Sequence, residues 1–382
     1  MRIAIYGMGK IAETLYQQLK QTDAWEIVAF VDSHLSVGTH KVHEGGTIIL
    51  SPAEAFSKEN DLDAVFIAAG AQKSVLQMTQ VCRSYGIDNI YLVDDVAGKT
   101  GKAIIGSDNA FIPGRVHHMW FSDEKPSLTY FEMPIVDSCN LNCKGCLFAY
   151  NQEETAGPIA LAEIKSDLKQ MAERFADVAW IRFLGGEPLL HPDLAEILSY
   201  ARRLYPTTIL DVCTNGLLIP SLDEAVLEAI KANHISLHIS GYQPTYKLLD
   251  RIDKRLTTAG IDYYVLRRDE FYKFYTLEPD NDSVQSHAAC PSCACWELYH
   301  GRLMKCSAVL AFEKMNRQFG TKYQVIKNED WFDIYDENLK TSEIYEKCLR
   351  HSQMCRYCNL EKKEIFPWTC GQKEKLSDYI LE

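Results

Sequence analysis

Eight residues, CNLNCKGC, constrain this chain more than any other stretch. They set thiols at Cys139, Cys143 and Cys146, directly after the apolar run Tyr130 to Val136, which reads as a strand. A short loop leaving a strand end can turn all three sulfurs toward one point. Three thiolates hold three corners of an iron–sulfur cube, whereas a closed cube takes four. The fourth iron then stays open to another ligand, as a catalytic metal keeps an open position. A zinc knuckle would want two pairs of ligands, and no further Cys or His follows within the next dozen residues.

The chain is long enough, at 382 residues, for two or three domains with their own cores. No uninterrupted apolar run reaches bilayer length, and MRIAIYGMGK runs straight into a strand without the pattern of a secretory signal. A cytoplasmic protein without membrane contact is expected. Thirteen cysteines in such a chain point to metal or redox centres rather than a disulfide framework. Eight of them crowd into the last 93 residues. A net charge of −12 and the lack of a basic stripe disfavour nucleic acid as a partner.

In the first hundred residues, RIAIYG reads as a strand and Gly7-x-Gly9-x-x-Ala12 opens the amphipathic helix IAETLYQQLK. A second strand, EIVAFVD, ends on Asp32. This order can hold a pyrophosphate on the glycine turn and a ribose on the acid, although the same glycines also serve bare helix–strand packing. AVFIAAG, a helix from about Ser74 to Tyr85 and NIYLVDD continue the alternation. The expectation is a doubly wound Rossmann-like domain over residues 1–110, with Gly7, Gly9 and Asp32 as candidate contacts to a nucleotide, a nucleotide-sugar or NAD. The stretch resembles the nucleotide-sugar-binding Rossmann-like halves of bacterial glycan-modifying enzymes. Residues 111–128 read as a linker whose His117 and His118 have packing or surface roles.

Beyond the cysteine loop the rhythm resumes. Helices fit Ala160 to Phe175, Pro192 to Leu204, Leu222 to Ala232 and Thr245 to Thr258, between the strands WIRFLGGEP, TTILDVCTNG, HISLHIS and YYVLRR. Five strands in parallel order suit a partial (β/α)6 barrel over residues 129–282, with its chemistry at the C-terminal strand ends. Gly185-Gly186-Glu187-Pro188 ends one strand, Asn215, Ser240 and Arg267 end later ones, and Cys213 lies on the third.

The cysteine loop, followed about forty residues later by GGEP, resembles the radical S-adenosylmethionine (SAM) superfamily. The resemblance implies a 4Fe–4S cluster on Cys139, Cys143 and Cys146. It implies that Gly185, Gly186, Glu187 and Pro188 bind the methionine amine of SAM, and that Asn215 and Ser240 serve its ribose and carboxylate. Arg267 would pair with the cofactor carboxylate or with substrate. Gly145 stands where the family often has an aromatic residue near adenine, so adenine is either stacked by another group or less enclosed.

The tail, residues 283–382, resembles the twitch half of the SPASM family, which holds an auxiliary 4Fe–4S cluster on four cysteines. Cys290, Cys295, Cys306, Cys355 and Cys358 compete for the four places, with Cys290 and Cys295 as rivals. WELYHGRLMKC is expected to form the hairpin between ligands. Other readings of the tail are a zinc ribbon and a second auxiliary cluster recruiting Cys348 or Cys370. The activity implied is reductive cleavage of SAM, with an electron donor such as flavodoxin or ferredoxin. The resulting radical would dehydrogenate or epimerise a sugar, cyclitol or nucleotide-sugar, and Cys213 would be the hydrogen donor in an epimerase. A maturase acting on a ribosomal peptide is one alternative. An NAD(P)-dependent oxidoreductase with structural zinc is the other.

Overall fold

The computed structural model describes residues 1–39, 41–108, 110–148, 157–371 and 375–381. They form two compact units, Met1–Thr129 with Phe175–Trp180 and Tyr205–Leu210, and Tyr130–Arg174 with Ile181–Leu204 and Asp211–Glu382. No helix among the described residues is long and apolar enough to cross a membrane.

The first unit is built on a seven-stranded sheet. Its elements are β1 (Arg2–Tyr6), α1 (Lys10–Leu19), β2 (Glu26–Val31), β3 (Lys41–Val42), β4 (Ile48–Leu50), α2 (Pro52–Ala55), β5 (Ala64–Ile67), α3 (Gln72–Ser84), β6 (Ile90–Val93), α4 (Asp95–Thr100) and β7 (Val116–His118). The order is β3-β4-β2-β1-β5-β6-β7, with the middle five parallel and an antiparallel strand at each edge. Alternate residues of β1 point to opposite faces. Ile3 and Ile5 pack with Ile11, Leu15 and Leu19 of α1, while Ala4 and Tyr6 pack with Val75 and Cys82 of α3. Helices therefore cover both faces, as strands apolar on both sides require. The linker reading of residues 111–128 is corrected. Val116–His118 is the edge strand β7, and buried His117 reaches Asp177 Oδ2 at 2.8 Å and the Thr207 carbonyl at 3.1 Å. A three-residue strand is too short to show a period.

The chain continues with β8 (Ser127–Leu128), β9 (Phe131–Val136), α5 (Leu161–Arg174), β10 (Asp177–Val178), β11 (Trp180–Gly185), α6 (Leu194–Leu204), β12 (Ile209–Thr214), α7 (Glu224–Ala232), β13 (Ser236–Gly241), α8 (Gln243–Tyr246), α9 (Leu249–Ala259) and β14 (Tyr263–Arg267), of which β8 and β10 lie in the first unit and the others wholly or mostly in the second. The tail adds β15 (Glu270–Lys273), α10 (Ser283–Ala289), β16 (Glu297–Tyr299), β17 (Arg302–Met304), α11 (Ala308–Phe319), β18 (Trp331–Asp333), α12 (Thr341–Cys348) and β19 (Glu364–Pro367). β8 and β10 pair only with each other. The main sheet runs β14-β13-β12-β11-β9-β16-β17-β18.

The five expected strands are thus consecutive. A sixth βα unit does not form among the described residues, because β15 turns away to pair antiparallel with β19. The tail is not a separate body either. Its β16–β17 hairpin joins the barrel sheet beside β9. The hairpin turns on His300 (φ 50) and Gly301 (φ 68), a two-residue turn whose positive φ values match the strands' twist.

Candidate functional site

The loop between β9 and α5 brings Cys139, Cys143 and Cys146 to one cavity of about 140 Å³. The same cavity is lined by Gly185, Gly186, Cys213, Thr214, Asn215, Ser240, Phe148, Tyr242 and Phe271. Residues from three strand tips and the cysteine loop therefore share one wall-to-wall space.

The two glycines of GGEP are required by the protein's own backbone. A Cβ on Gly185, held at φ 145, would sit 2.4 Å from the Val136 carbonyl oxygen, and one on Gly186 would sit 2.1 Å from that of Ser138. Close approach of the β9 and β11 ends lets Gly186 N–H donate to Val136 O at 2.7 Å and Glu187 N–H to Ser138 O at 3.0 Å. Glu187 is fully buried and does not face the cavity. Its carboxylate accepts from Thr214 Oγ1 at 2.6 Å, Asn215 N at 2.8 Å and Leu189 N at 3.1 Å. Burial pushes its pKa up to about 7 against the pull of those hydrogen bonds. Glu187 is thus a tie between the β11 and β12 tips, and Pro188 opens the next turn behind it. Glu187→Gln, which removes one acceptor, is expected to cost about 1–3 kcal/mol, read as a lower denaturant midpoint. An unchanged midpoint would show that the tie carries no stability.

Asn215 donates from Nδ2 to Asn140 Oδ1 at 2.6 Å, with Cys139 Sγ at 3.9 Å, so the third strand tip braces the cysteine loop. Cys213 Sγ lies 3.8 Å from Ser240 Oγ, and burial raises the thiol's pKa to about 11. Burial likewise pushes Cys139 and Cys143 up to about 12. Buried thiols disfavour a bare thiolate charge, and a bound cation reverses that preference. Arg267 is corrected: its side chain is 75% exposed, pairs with Asp269 at 3.2 Å and lies over Tyr246, away from the cavity.

In the tail, Cys306 lies within electrostatic reach of Cys290 and Cys355, and Cys358 of all three. Cys295 lies within electrostatic reach of Glu132, Arg182, Cys290 and Cys293. Cys348 is buried on α12. No group of three or more His, Cys, Asp or Glu among the described residues suits a single metal ion.

Sequence reasoning missed a polar layer inside the barrel. Arg182 on β11 binds Asp211 on β12 with two bonds, 2.8 and 2.6 Å, while Tyr130 donates to Glu132 on β9 at 2.6 Å. Burial raises the Glu132 carboxyl, opposed by Arg182. Cys213 and Cys295 both lie within electrostatic reach of Arg182 and Glu132. The available signal was a charge in the middle of each apolar strand. Trp368, whose indole reaches Cys143, left no such signal.

In the first unit, Gly7, Gly9, Lys10, Ser74 and Lys99 line a cavity of about 400 Å³. A Cβ on Gly7, at φ 128, would sit 2.6 Å from the Ala68 carbonyl oxygen, whereas one on Gly9 would meet nothing within 4 Å. Asp32 does not line this cavity; its Oδ1 accepts from His34 N at 2.9 Å.

Residues 133–262 match the family described as the radical SAM superfamily. The GTP 3′,8-cyclase of Microcystis aeruginosa is 32% identical over 135 residues, 35% of this chain and 39% of the relative. That of Chlorobaculum tepidum is 28% identical over 147 residues, 38% of each chain. The chain therefore spans under two fifths of these relatives' length. Among solved structures, BtrN in complex with AdoMet and 2-DOIA is similar at 16% identity and a TM-score of 0.39, covering 67% of this chain and 100% of that one.

Proposed function

We propose that this chain, which carries a radical SAM domain over residues 133–262, oxidises an alcohol carbon of a sugar or cyclitol, delivered as a nucleotide-linked substrate. The observation that carries the reading is the convergence of three thiols, the glycine turn and two strand tips on one cavity. Cys139, Cys143 and Cys146 would hold the cluster, and Gly185, Gly186, Asn215 and Ser240 would seat SAM. Tyr242 and Phe271 would flank adenine, since Gly145 offers no ring. When bound, the cluster and SAM supply a 5′-deoxyadenosyl radical.

Cys290, Cys306, Cys355 and Cys358 would hold an auxiliary 4Fe–4S cluster with no open iron, in a twitch-like tail. Oxidation of an alcohol to a ketone releases two electrons and two protons. The SAM-derived radical would supply removal of one hydrogen atom, a cluster held by the tail would supply the acceptor for the second electron, and Glu132 would take the hydroxyl proton. Arg182, fixed by Asp211, would orient the hydroxyl. A second reading, epimerisation, is favoured by Cys213, a protonated thiol on the cavity wall that can return a hydrogen atom.

The nucleotide part rests on the first unit, read as a Rossmann-like domain. Its glycine turn leaves open space above Gly9 at the start of α1, where unpaired N–H groups favour an anion. The relatives' name, GTP 3′,8-cyclase, also carries a nucleotide. The test is a screen of nucleotide sugars and free cyclitols for substrate-dependent 5′-deoxyadenosine, with the product scored as ketone or inverted alcohol. Gly9→Val fills only the open space, so it should raise the KM of a nucleotide-linked substrate at least about tenfold, a loss of about 1.4 kcal/mol. SAM cleavage should be untouched. An unchanged KM would remove the nucleotide from the proposal.

A further inference from the structure

We infer that the segment after β19 is a strap across the cysteine loop, and that Trp368 on it is a positioning residue that sets the reduction potential of the cluster held there. The inference rests on the reading of Cys139, Cys143 and Cys146 as cluster ligands.

The strap is tied to the loop along both backbones. Lys144 N–H donates to Thr369 O at 2.9 Å and Gly371 N–H to Asn142 O at 2.9 Å, which sets Cys370 opposite Cys143 in an antiparallel bridge. Trp368 N–H donates to Asp269 O at 2.9 Å, so the strap is also fixed to the turn before β15. Lys144 pairs with Asp378 at 3.1 Å. Gly145 is a condition of this contact. It sits at φ 67, and a Cβ there would lie 2.8 Å from both the Asp378 carbonyl oxygen and the Phe366 ring. The Phe366 ring and the Asp378 backbone thus pack where a side chain at position 145 would stand.

Trp368 is buried, its ring stacked on Tyr242 with centroids 5.1 Å apart and planes at 26°. That stack and the backbone tie hold the indole in one orientation, with Nε1–H donating to Cys143 Sγ at 3.2 Å. An N–H aimed at a ligand sulfur favours whichever cluster state puts more negative charge on that sulfur. The reduced state does so, and hydrogen bonds to the sulfurs are one of the levers on cluster potential. The indole N–H therefore makes the cluster easier to reduce. Nothing else on the ring's polar edge is needed for this, so Trp368→Phe removes the donor and keeps the stack.

The test uses full-length protein reconstituted anaerobically, with iron counted and the reduced cluster that responds to added SAM titrated by EPR. In Trp368→Phe the iron count should match wild type. The one-electron reduction equilibrium should fall about tenfold, a potential about 59 mV more negative. Full iron with an unchanged potential overturns the inference and leaves the ligand reading standing. Wild-type protein that takes up no iron overturns the ligand reading, and the inference with it. If the variant loses iron, wild-type protein labelled with ¹⁵N in the indole decides. A ¹⁵N coupling to the reduced cluster that persists when each of the other tryptophans is changed to Phe supports the bond, and its absence in the wild-type protein overturns it.

Discussion

Replacing Cys139, Cys143 and Cys146 together with alanine is expected to bring reductive cleavage of SAM below detection. On the proposed reading these three thiols hold the catalytic iron, and among the described residues Cys213 is the one further His, Cys, Asp or Glu that lines the cavity. Cys213 lies across from them beside Ser240 and cannot replace three corners of a cube. The loop itself should survive. Its shape is carried by backbone bonds to Val136 and Ser138 and by the strap at Asn142 and Lys144, none of which uses a thiol. Trimming Cys to Ala removes one small buried atom, at a cost of about 1 kcal/mol per site. Chromatographic measurement of 5′-deoxyadenosine after dithionite reduction is the check. Undiminished formation in the triple variant would sink the assignment, and a folded variant with its auxiliary iron intact would support it.

The second large effect is expected in the tail. Changing Cys306, Cys355 and Cys358 to alanine should remove about four irons per chain, by the stoichiometry of a cube. Product should be lost while some SAM cleavage continues uncoupled, since the first cavity is unaltered. The structure sharpens this at one position. Cys290→Ala should behave as the triple variant does, because Cys290 lies within electrostatic reach of both Cys306 and Cys358. Cys295→Ala should keep its iron, because the thiol within reach of Cys306 and Cys358 is that of Cys290. The reverse pattern, iron lost in Cys295→Ala and kept in Cys290→Ala, would contradict the ligand set.

Features set by neighbouring residues were legible before the fold was known. The cysteine loop, the glycine turn and the His300–Gly301 hairpin each depend on a few consecutive backbone angles, and each formed where the residues indicated. Strand order was legible for the same reason, through the alternation of apolar runs and amphipathic helices. Long-range choices were not. Cys290 and Cys295 are five residues apart, and no local pattern tells which one comes within reach of Cys306, although Cys290 does. Arg267 ends a strand as pocket residues do, yet Asp269 and the Tyr246 ring hold it outside. Trp368 is 225 residues from Cys143 and belongs to no local pattern. Asp32 stands at its strand tip as expected, but the bond to His34 N occupies its carboxylate.

The central claim is that the two cysteine sets hold iron–sulfur clusters, and elemental analysis tests it most directly. Protein reconstituted anaerobically with iron and sulfide, then desalted, should carry about eight irons and about eight acid-labile sulfides per chain, four of each per cube. Zinc in place of iron, with no acid-labile sulfide, would contradict it.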